Sequence, residues 1–495
     1  MIKISHKINI TMAVLEHFVN AITMFISYRI VVQYLGLEQL GLWSILLAIM
    51  SLTSVGTAGF ASSAVKFVSK YVARNEPRKV ISIIETTVIT VLIFTIVMLG
   101  LILLLFHFFK STFFEASEIL AIVEILPTLV ISFVFGFAGS VFLSSLDGLR
   151  LIHIRSAIGI ISKVFFLLLV YLFINGYGLR GLAISLLVQN LIVLALGAIA
   201  VKSNVKGVNV LFCKFDKNTF TEIFHYGYQF QIISIFQMLV DPLTKFLLKS
   251  HGGLTSVGYF ELIYKFLFHA RQIIVVAIST FVPTVAALHE EKEDNLGNLF
   301  KTIFSITFIT SIVVLTIVLA VFPVVMSFVK VNMNSEVNVY SSFIYLGLIF
   351  NLFAVTPFMF NLGTGKLKFN NYSAGVMAVL NIVFSSIIGY YYSGIGVIIG
   401  WMLAQVVSNL YLFFSYLKSE KIALKGVINK YDIILLILVI LYLTVNFIFN
   451  NLNTTSLFST VLISFFIPVL IIGYPLLNND KFKFTVNYIK QKIRK

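Results

Sequence analysis

The stretch LGLEQLGLW (35–43) recurs later in the chain as GGLTSVGYF (252–260). Each copy follows a long apolar stretch, and Gly36 of the first copy matches Gly253 of the second. Two copies of one pattern in equivalent surroundings are typical of an internally repeated fold. The recurrence therefore predicts two structural repeats.

Two further matches support this repeat. DGLRLIHIRSA (147–157) matches TGKLKFNNYSA (364–374) at the same separation as the first pair of copies, and GYG (176–178) matches GIG (394–396) at a separation larger by one. Glycine is common in membrane helices, so each match alone carries little weight. Chance matches would scatter in separation, and the shared order and offset therefore indicate a duplicated unit.

The composition excludes a soluble enzyme, a disordered chain and a single-pass receptor. Of the 495 residues 59% are hydrophobic and only 11% are charged, less than half of the roughly 25% usual in soluble domains. A membrane span needs about 20 mostly apolar residues. Fourteen stretches qualify: 9–35, 42–65, 80–107, 119–143, 156–174, 181–201, 223–249, 255–287, 302–322, 338–361, 372–392, 396–417, 433–450 and 456–477.

These spans predict an all-α polytopic membrane protein of about 14 transmembrane helices. Each repeat contains six spans, so the two copies keep the same orientation and form a parallel repeat. We expect a six-helix N-terminal lobe at 1–217 and a six-helix C-terminal lobe at 218–432. The remaining segment, 433–495, adds two helices and a basic cytoplasmic tail. A cleft between two such lobes can open to either side by rocking, which is the basis of alternating access.

Charge placement predicts that both termini are cytoplasmic. The loops and tails on the N-terminal side of the membrane carry 27 of the 36 Lys and Arg residues, and the opposite loops carry four. Cytoplasmic loops are the basic ones in membrane proteins. The net charge of +16 therefore reflects topology and anionic lipid rather than nucleic acid.

Ionisable residues inside the spans are the candidate functional groups, because charge in hydrocarbon is costly and marks a bundle interior or a wet cavity. Nine of the twelve lie on the first, seventh and eighth spans. The twelve are Glu16, His17, Arg29, Glu85, Glu124, Lys163, Asp241, Lys245, Glu261, Lys265, His269 and Arg271. The alternative reading is internal Asp–Lys and Glu–Lys pairing that merely makes these charges tolerable.

The seventh span carries a polar ladder that includes Gln237, Asp241 and Lys245, at helical spacing on one face. Pro242 directly follows the aspartate and predicts a kink that frees backbone carbonyls beside a carboxylate. On the first span, Glu16 lies beside His17, and an imidazole near a carboxylate titrates near physiological pH. A histidine bonded to a neighbouring helix is the alternative reading.

Nothing in the sequence predicts an enzyme, a cofactor or a metal site. The chain has no H-E-x-x-H, P-loop or G-x-S-x-G motif. Its single cysteine, Cys213, excludes an intrachain disulfide and a cysteine-based metal site. Without a nucleotide-binding motif, transport runs on an ion gradient, on membrane potential or downhill.

The chain resembles the polysaccharide transporter family of the multidrug/oligosaccharidyl-lipid/polysaccharide (MOP) flippase superfamily. The stretches that carry the resemblance are RIVVQYLGLEQLGLWSIL (29–46), DPLTKFLLKSHGGLTSVGYFELIYKF (241–266) and FVPTVAAL (281–288). The resemblance extends over the whole chain through the fourteen spans, the two repeats and the extra helix pair. It implies a V-shaped carrier in the bacterial inner membrane, with a central cavity lined largely by the first, second, seventh and eighth helices.

The resemblance also implies a substrate: a polyprenyl-diphosphate-linked oligosaccharide of O-antigen, capsule or a related polymer, moved from the cytoplasmic to the outer leaflet. It further implies association with polysaccharide polymerase machinery. A diphosphate needs cations and hydrogen-bond donors in a wet cleft. The expected substrate contacts are Arg29, Lys265, Arg271 and Gln237. For coupling to H⁺ or Na⁺ we expect Asp241 first, and Glu16 as a second candidate.

Competing functions stay open at this stage. A lipid II flippase shares the fourteen-helix plan and a cationic cavity. A cation-coupled multidrug antiporter of the same superfamily usually has twelve helices, and arginine and lysine in its cavity would repel cationic drugs. A membrane-embedded polymerase or ligase would carry a large catalytic outer loop, whereas the loops here are short.

Overall fold

The computed structural model describes residues 6–55, 58–209, 213–291, 296–428 and 430–451. Within these ranges the regular structure is helical, with no strand. The α-helices are α1 (His6–Ser51), α2 (Ala58–Ala73), α3 (Pro77–Phe113), α4 (Ala116–Gly148), α5 (Ile152–Asn204), α6 (Lys217–Ser279), α7 (Val282–Glu290), α8 (Leu296–Val329), α9 (Ser335–Thr364), α10 (Lys368–Ser419) and α11 (Lys430–Asn451).

The backbone confirms the internal repeat at its first match. Helix α1 breaks at Gly36 (φ 84°, ψ 174°), and α6 breaks at Gly253 (φ 77°, ψ 178°). A positive φ is cheap only for a residue without a Cβ, which explains why glycine stands at both positions. The same dihedral break, at the two matched glycines, divides each of these long helices into two successive spans.

The later equivalent positions lie slightly closer together in the chain than the sequence matches suggested. Helix α5 breaks at Gly178 (φ 53°, ψ −134°), and its counterpart α10 breaks at Ser393 (φ 53°, ψ −141°). Beyond each break a glycine packs against the carbonyl eight residues earlier: Gly181 faces Phe173, and Gly396 faces Ile388. The matches in this part of the sequence were therefore displaced by two to three positions.

Every predicted span except the last lies on helical segments of the described chain. Span 42–65 is interrupted, since α1 ends at Ser51, a 3-10 turn covers Leu52–Val55 and α2 begins at Ala58. Span 255–287 is divided where α6 gives way to α7, which has Pro283 in its first turn. The predicted span 456–477 and the basic tail lie outside the described residues.

The chain divides into two compact units between Pro242 and Leu243, inside α6. The predicted lobe boundary at 217 is the first residue of that helix and stays a prediction. The first unit packs α2, α3 and α4 around buried apolar side chains that include Phe60, Ile83, Phe142 and Leu146. The buried face is thus shared by helices that are neighbours in the chain.

The second unit has an aromatic core. Phe300, Phe304 and Phe308 lie on successive turns of α8, and Phe304 contacts Phe353 of α9 and Phe413 of α10. Ring centroids 5.0–6.1 Å apart in these contacts are in the range that favours tilted and offset aromatic pairs. These contacts hold α9 and α10 beside α8.

Outward-facing side chains of α3 are apolar, as lipid contact requires. Ile93, Ile96, Val97 and Leu104 are each more than half exposed. Among the described residues, eight helical segments are long and apolar enough to cross a membrane, and several contain two crossings joined at a break. The chain is therefore a multi-pass membrane protein.

Candidate functional site

Arg271 lies in a membrane-spanning part of α6 and is held by two partners. Its Nε donates a hydrogen bond to Oδ1 of Asn351 on α9 at 2.6 Å. Its guanidinium also stacks over the Phe268 ring, with Cζ 5.6 Å from the centroid. Within the described part of the chain, Arg271 uses only Nε in its hydrogen bond. Its two terminal nitrogens therefore remain able to bind an anion in the bidentate manner typical of arginine.

Asn351 belongs to a chain of amides in the second unit. Its Nδ2 donates to Oδ1 of Asn409 at 3.2 Å and approaches Oε1 of Gln405 at 3.4 Å. Asn409 in turn donates to Oε1 of Gln405 at 2.8 Å. Because each member of a buried polar network orients the next, the amides fix the carbonyl that holds Arg271. We call Arg271, Asn351, Gln405 and Asn409 the arginine network.

The sequence reasoning missed the three amides of this network because it considered only ionisable residues. A usable signal existed: Gln405 and Asn409 are four residues apart on one apolar span, which places both amides on one helix face. Polar amides on one face of a membrane helix need partners on a neighbouring helix. Counting amides as well as charges would have found this face.

Lys265 precedes Arg271 by six residues on α6 and is half-buried. Among the described residues, the hydrogen bonds of the arginine network do not include Lys265. In the first unit, Arg29 is half-buried on α1 and Gln237 is exposed on α6. Substrate contact by Arg29, Gln237, Lys265 and Arg271 stays a prediction.

Lys245 and Glu261 form a buried ion pair. Lys245 Nζ lies 2.8 Å from Glu261 Oε2, and the two side chains are 2% and 4% exposed. The pair joins the two arms of α6 across the break at Gly253, eight residues from each partner. The alternative reading, in which these charges pair with each other, is thus correct for this Glu–Lys pair, whose partners lie on opposite sides of the break.

Asp241 lies one turn before this ion pair and is half-buried. The backbone of α6 remains helical at Pro242, and its dihedral break is at Gly253. Three residues after Asp241, Thr244 accepts a hydrogen bond from Asn381 Nδ2 at 2.8 Å, and Ser385 donates to Asn381 Oδ1 at 3.1 Å. These completely buried groups anchor α10 to α6.

Glu16, the second candidate for ion coupling, forms a salt bridge with an arginine in the first turn of α5. Arg155 NH2 lies 3.1 Å from Glu16 Oε2, and Arg155 Nε lies 3.2 Å from Asp147 Oδ1. The Glu16 side chain is 14% exposed. The sequence indicated no arginine partner for Glu16, so this cluster was not expected. Coupling through Glu16 stays a prediction.

The environment of Cys213 allows a test of topology. Burial, with the nearby Glu85 carboxylate, raises the pKa of the Cys213 thiol to about 11. Because the thiolate is the reactive species, labelling at pH 8 should be roughly two orders of magnitude slower than for a free thiol of pKa about 8.5. The rate should rise about tenfold per pH unit up to about pH 11.

The measurement uses an impermeant maleimide on oriented membrane vesicles. A Cys213→Ser chain carrying Ser203→Cys provides the control, because Ser203 is exposed on the preceding helix end of the same predicted cytoplasmic side. The control should label quickly, and both should label only from the cytoplasmic face. Labelling from the outer face would contradict the predicted topology, and equal rates would contradict the raised pKa.

The sequence matches one known family, and the fold matches several solved structures. Residues 7–289 match the family model described as polysaccharide biosynthesis protein, and no curated protein matches the chain. Among solved structures, an inward-facing multidrug resistance MATE family transporter of the MOP superfamily is 15% identical with a TM-score of 0.70. That alignment covers 80% of this chain and 93% of the other.

Two further structures share the fold. The lipid II flippase MurJ in an inward closed conformation is 18% identical with a TM-score of 0.64, covering 92% of this chain and 98% of the other. A MOP superfamily transporter from Pyrococcus furiosus is 14% identical with a TM-score of 0.61, covering 84% and 96%. The repeated, kinked helices are thus the fold of MOP superfamily transporters.

The chain belongs to the polysaccharide biosynthesis protein family, because the family model matches residues 7–289, more than half of it. The family expected from the sequence and the all-α repeated fold are both confirmed.

Proposed function

We propose that this protein is a flippase that moves a polyprenyl-diphosphate-linked oligosaccharide from the cytoplasmic to the outer leaflet of a bacterial inner membrane. Family membership supports a role in polysaccharide synthesis, and the fold is one that other transporters use. The observation that carries the proposal is Arg271, a cation within a membrane-spanning helix. Among the described residues its hydrogen bond uses only Nε, and its terminal guanidinium nitrogens suit a diphosphate.

The substrate's charge decides between the candidate functions. The positive charge of Arg271 would repel a cationic drug, so a flippase is favoured over a multidrug antiporter. Lipid II is the second candidate substrate, since the structural alignment with the lipid II flippase MurJ covers 92% of this chain. Lipid II and a lipid-linked oligosaccharide share the diphosphate that Arg271 would bind and differ in the sugars attached to it.

Reconstitution in liposomes tests the proposal. The protein is incorporated with a fluorescent lipid-linked oligosaccharide or with lipid II, and headgroup accessibility is scored on either face with a membrane-impermeant quencher. We expect exchange between leaflets for the oligosaccharide carrier and little for lipid II. Exchange of lipid II alone would identify lipid II as the substrate instead. No exchange of either lipid would contradict the proposal of a flippase.

Asp241 is the proposed coupling residue, where protonation or Na⁺ occupancy biases the conformational equilibrium. Replacing Asp241→Asn should lower gradient-driven flipping roughly tenfold, within the usual range of coupling free energies, while exchange without a gradient continues. Flipping is measured with an imposed H⁺ or Na⁺ gradient and without one. Glu124→Gln is the control, because Glu124 is 57% exposed. An unchanged response of Asp241→Asn to both gradients would remove Asp241 from this role.

A further inference from the structure

A groove on the first unit lies between the start of α1 and both arms of α5. Its volume is about 460 Å³. Apart from one histidine, the walls are formed by aliphatic, methionine and alanine side chains, which include Ile8 and Met12 of α1, Ala157 of α5 and Ala200 beyond the break in α5. The groove therefore suits a hydrocarbon chain and offers no site for a soluble polar ligand.

The polar end of the groove is organised by Asn9. Asn9 Nδ2 donates to the carbonyl of Arg150 at 3.3 Å, and Asn9 Oδ1 accepts from the backbone N–H of His153 at 3.1 Å. His153 Nδ1 also lies 3.0 Å from Asn9 Oδ1. Because a carbonyl oxygen only accepts, Nδ1 carries the proton. The His153 ring lines the groove.

The charge at this end favours an anion. The Arg150 side chain is exposed, and the acidic residues closest along α1 and α4, Glu16 and Asp147, are engaged by Arg155 at 3.1 and 3.2 Å. Arg150 belongs to a loop that the distribution of basic residues places in the cytoplasm. An exposed arginine at this level faces the anionic headgroups of the cytoplasmic leaflet.

The apolar face of α1 continues from the groove into the membrane. Val14, Leu15 and Phe18 are about half exposed, at 49%, 47% and 59%. The groove thus begins near the predicted cytoplasmic end of α1 and continues along an apolar, half-exposed face of that helix. The polar end and the apolar walls follow each other in the same order as the headgroup and the acyl chain of a phospholipid.

We propose that this groove binds an anionic phospholipid of the cytoplasmic leaflet, with one acyl chain between α1 and α5 and the phosphate at Arg150 and His153. The volume suits a single acyl chain, whereas the polyprenyl chain of the proposed substrate is several times longer. The site is therefore distinct from substrate binding at Arg271 and does not depend on the proposed function. It lies where α1 and both arms of α5 meet, so the lipid stabilises that contact.

Photocrosslinking tests this site with the full chain in nanodiscs. The probe is phosphatidylglycerol with a diazirine on one acyl chain, and crosslinked peptides are identified by mass spectrometry. We expect crosslinks on residues 152–161 and 196–200. Unlabelled phosphatidylglycerol should compete about fivefold better than phosphatidylcholine, and inorganic phosphate should not compete.

Variants separate the two ends of the site. Ala157→Phe fills the groove and should reduce the crosslink severalfold, whereas Val164→Phe, on the half-exposed face of the same helix, should not. Arg150→Asn should abolish the preference for phosphatidylglycerol while keeping the crosslink. Asparagine is chosen because Arg150 has a φ of 62°, which asparagine tolerates. If Ala157→Phe does not fold, Ala200→Phe fills the opposite wall.

Two outcomes would overturn the proposal. Crosslinks spread evenly along α5, without preferential competition by phosphatidylglycerol, would mean ordinary bilayer contact. A photoreactive amino acid replacing Ile154 should capture lipid. Capture of another segment of this chain or of a second copy would show that protein, rather than lipid, covers the groove.

Discussion

Glu261→Gln should destabilise the protein by about 3–5 kcal/mol, because it removes the carboxylate that pairs with the buried Lys245 ammonium. Lys245 is 2% exposed and its Nζ lies 2.8 Å from Glu261 Oε2, so water cannot replace the lost partner. Lys245→Met should have a similar effect, because it removes the cation that pairs with the buried Glu261 carboxylate. The measurement is thermal unfolding of the purified protein in detergent, together with the monodisperse fraction after chromatography.

A double variant and a surface pair make this prediction specific. Lys245→Met combined with Glu261→Gln removes both charges and should recover much of the lost stability, since replacing a whole buried pair is often nearly neutral. Lys366 lies 2.7 Å from Glu420 but is 47% exposed, so Lys366→Met should cost less than about 1 kcal/mol. Equal effects of Lys245→Met and Lys366→Met would contradict a structural ion pair.

The fold was largely predictable because its determinants are local. Span length follows from bilayer thickness, and the breaks at Gly36 and Gly253 lie in the recurring stretch that the sequence shows. The later register was misjudged because the break in α10 is at Ser393 rather than at a glycine. A glycine match therefore aligned neighbouring residues of similar composition instead of equivalent backbone positions.

The side-chain partners were not predictable in the same way. The sequence suggested Asp–Lys and Glu–Lys pairing without naming partners, and the break at Gly253 brings Lys245 to Glu261 from the other arm of α6. Glu16 is likewise held by Arg155 from α5. Such contacts depend on how helices pack, and a single sequence carries no direct record of packing.

Arg271→Gln should reduce flipping of the lipid-linked oligosaccharide by roughly one to four orders of magnitude. A hydrogen bond to a charged group contributes about 1.5–3 kcal/mol, and the guanidinium offers two terminal nitrogens to the diphosphate, at about 1.4 kcal/mol per tenfold. Arg271→Lys should fall between the wild type and Arg271→Gln, because an ammonium keeps the charge but loses the planar fork and the Nε bond to Asn351.

Asn351→Asp tests the charge of Arg271 while its Nε bond is kept. The aspartate keeps the acceptor for Arg271 Nε and adds a negative charge beside the guanidinium, but it loses the donor that Asn351 directs at Asn409 and Gln405. Flipping should therefore fall towards that of Arg271→Gln, and the free energy of unfolding should fall by about 1–3 kcal/mol because buried acceptors lose their donor. Arg180→Gln is the matched control, because Arg180 is 55% exposed beside Glu124. Wild-type flipping in both Arg271→Gln and Asn351→Asp would exclude Arg271 as the diphosphate contact.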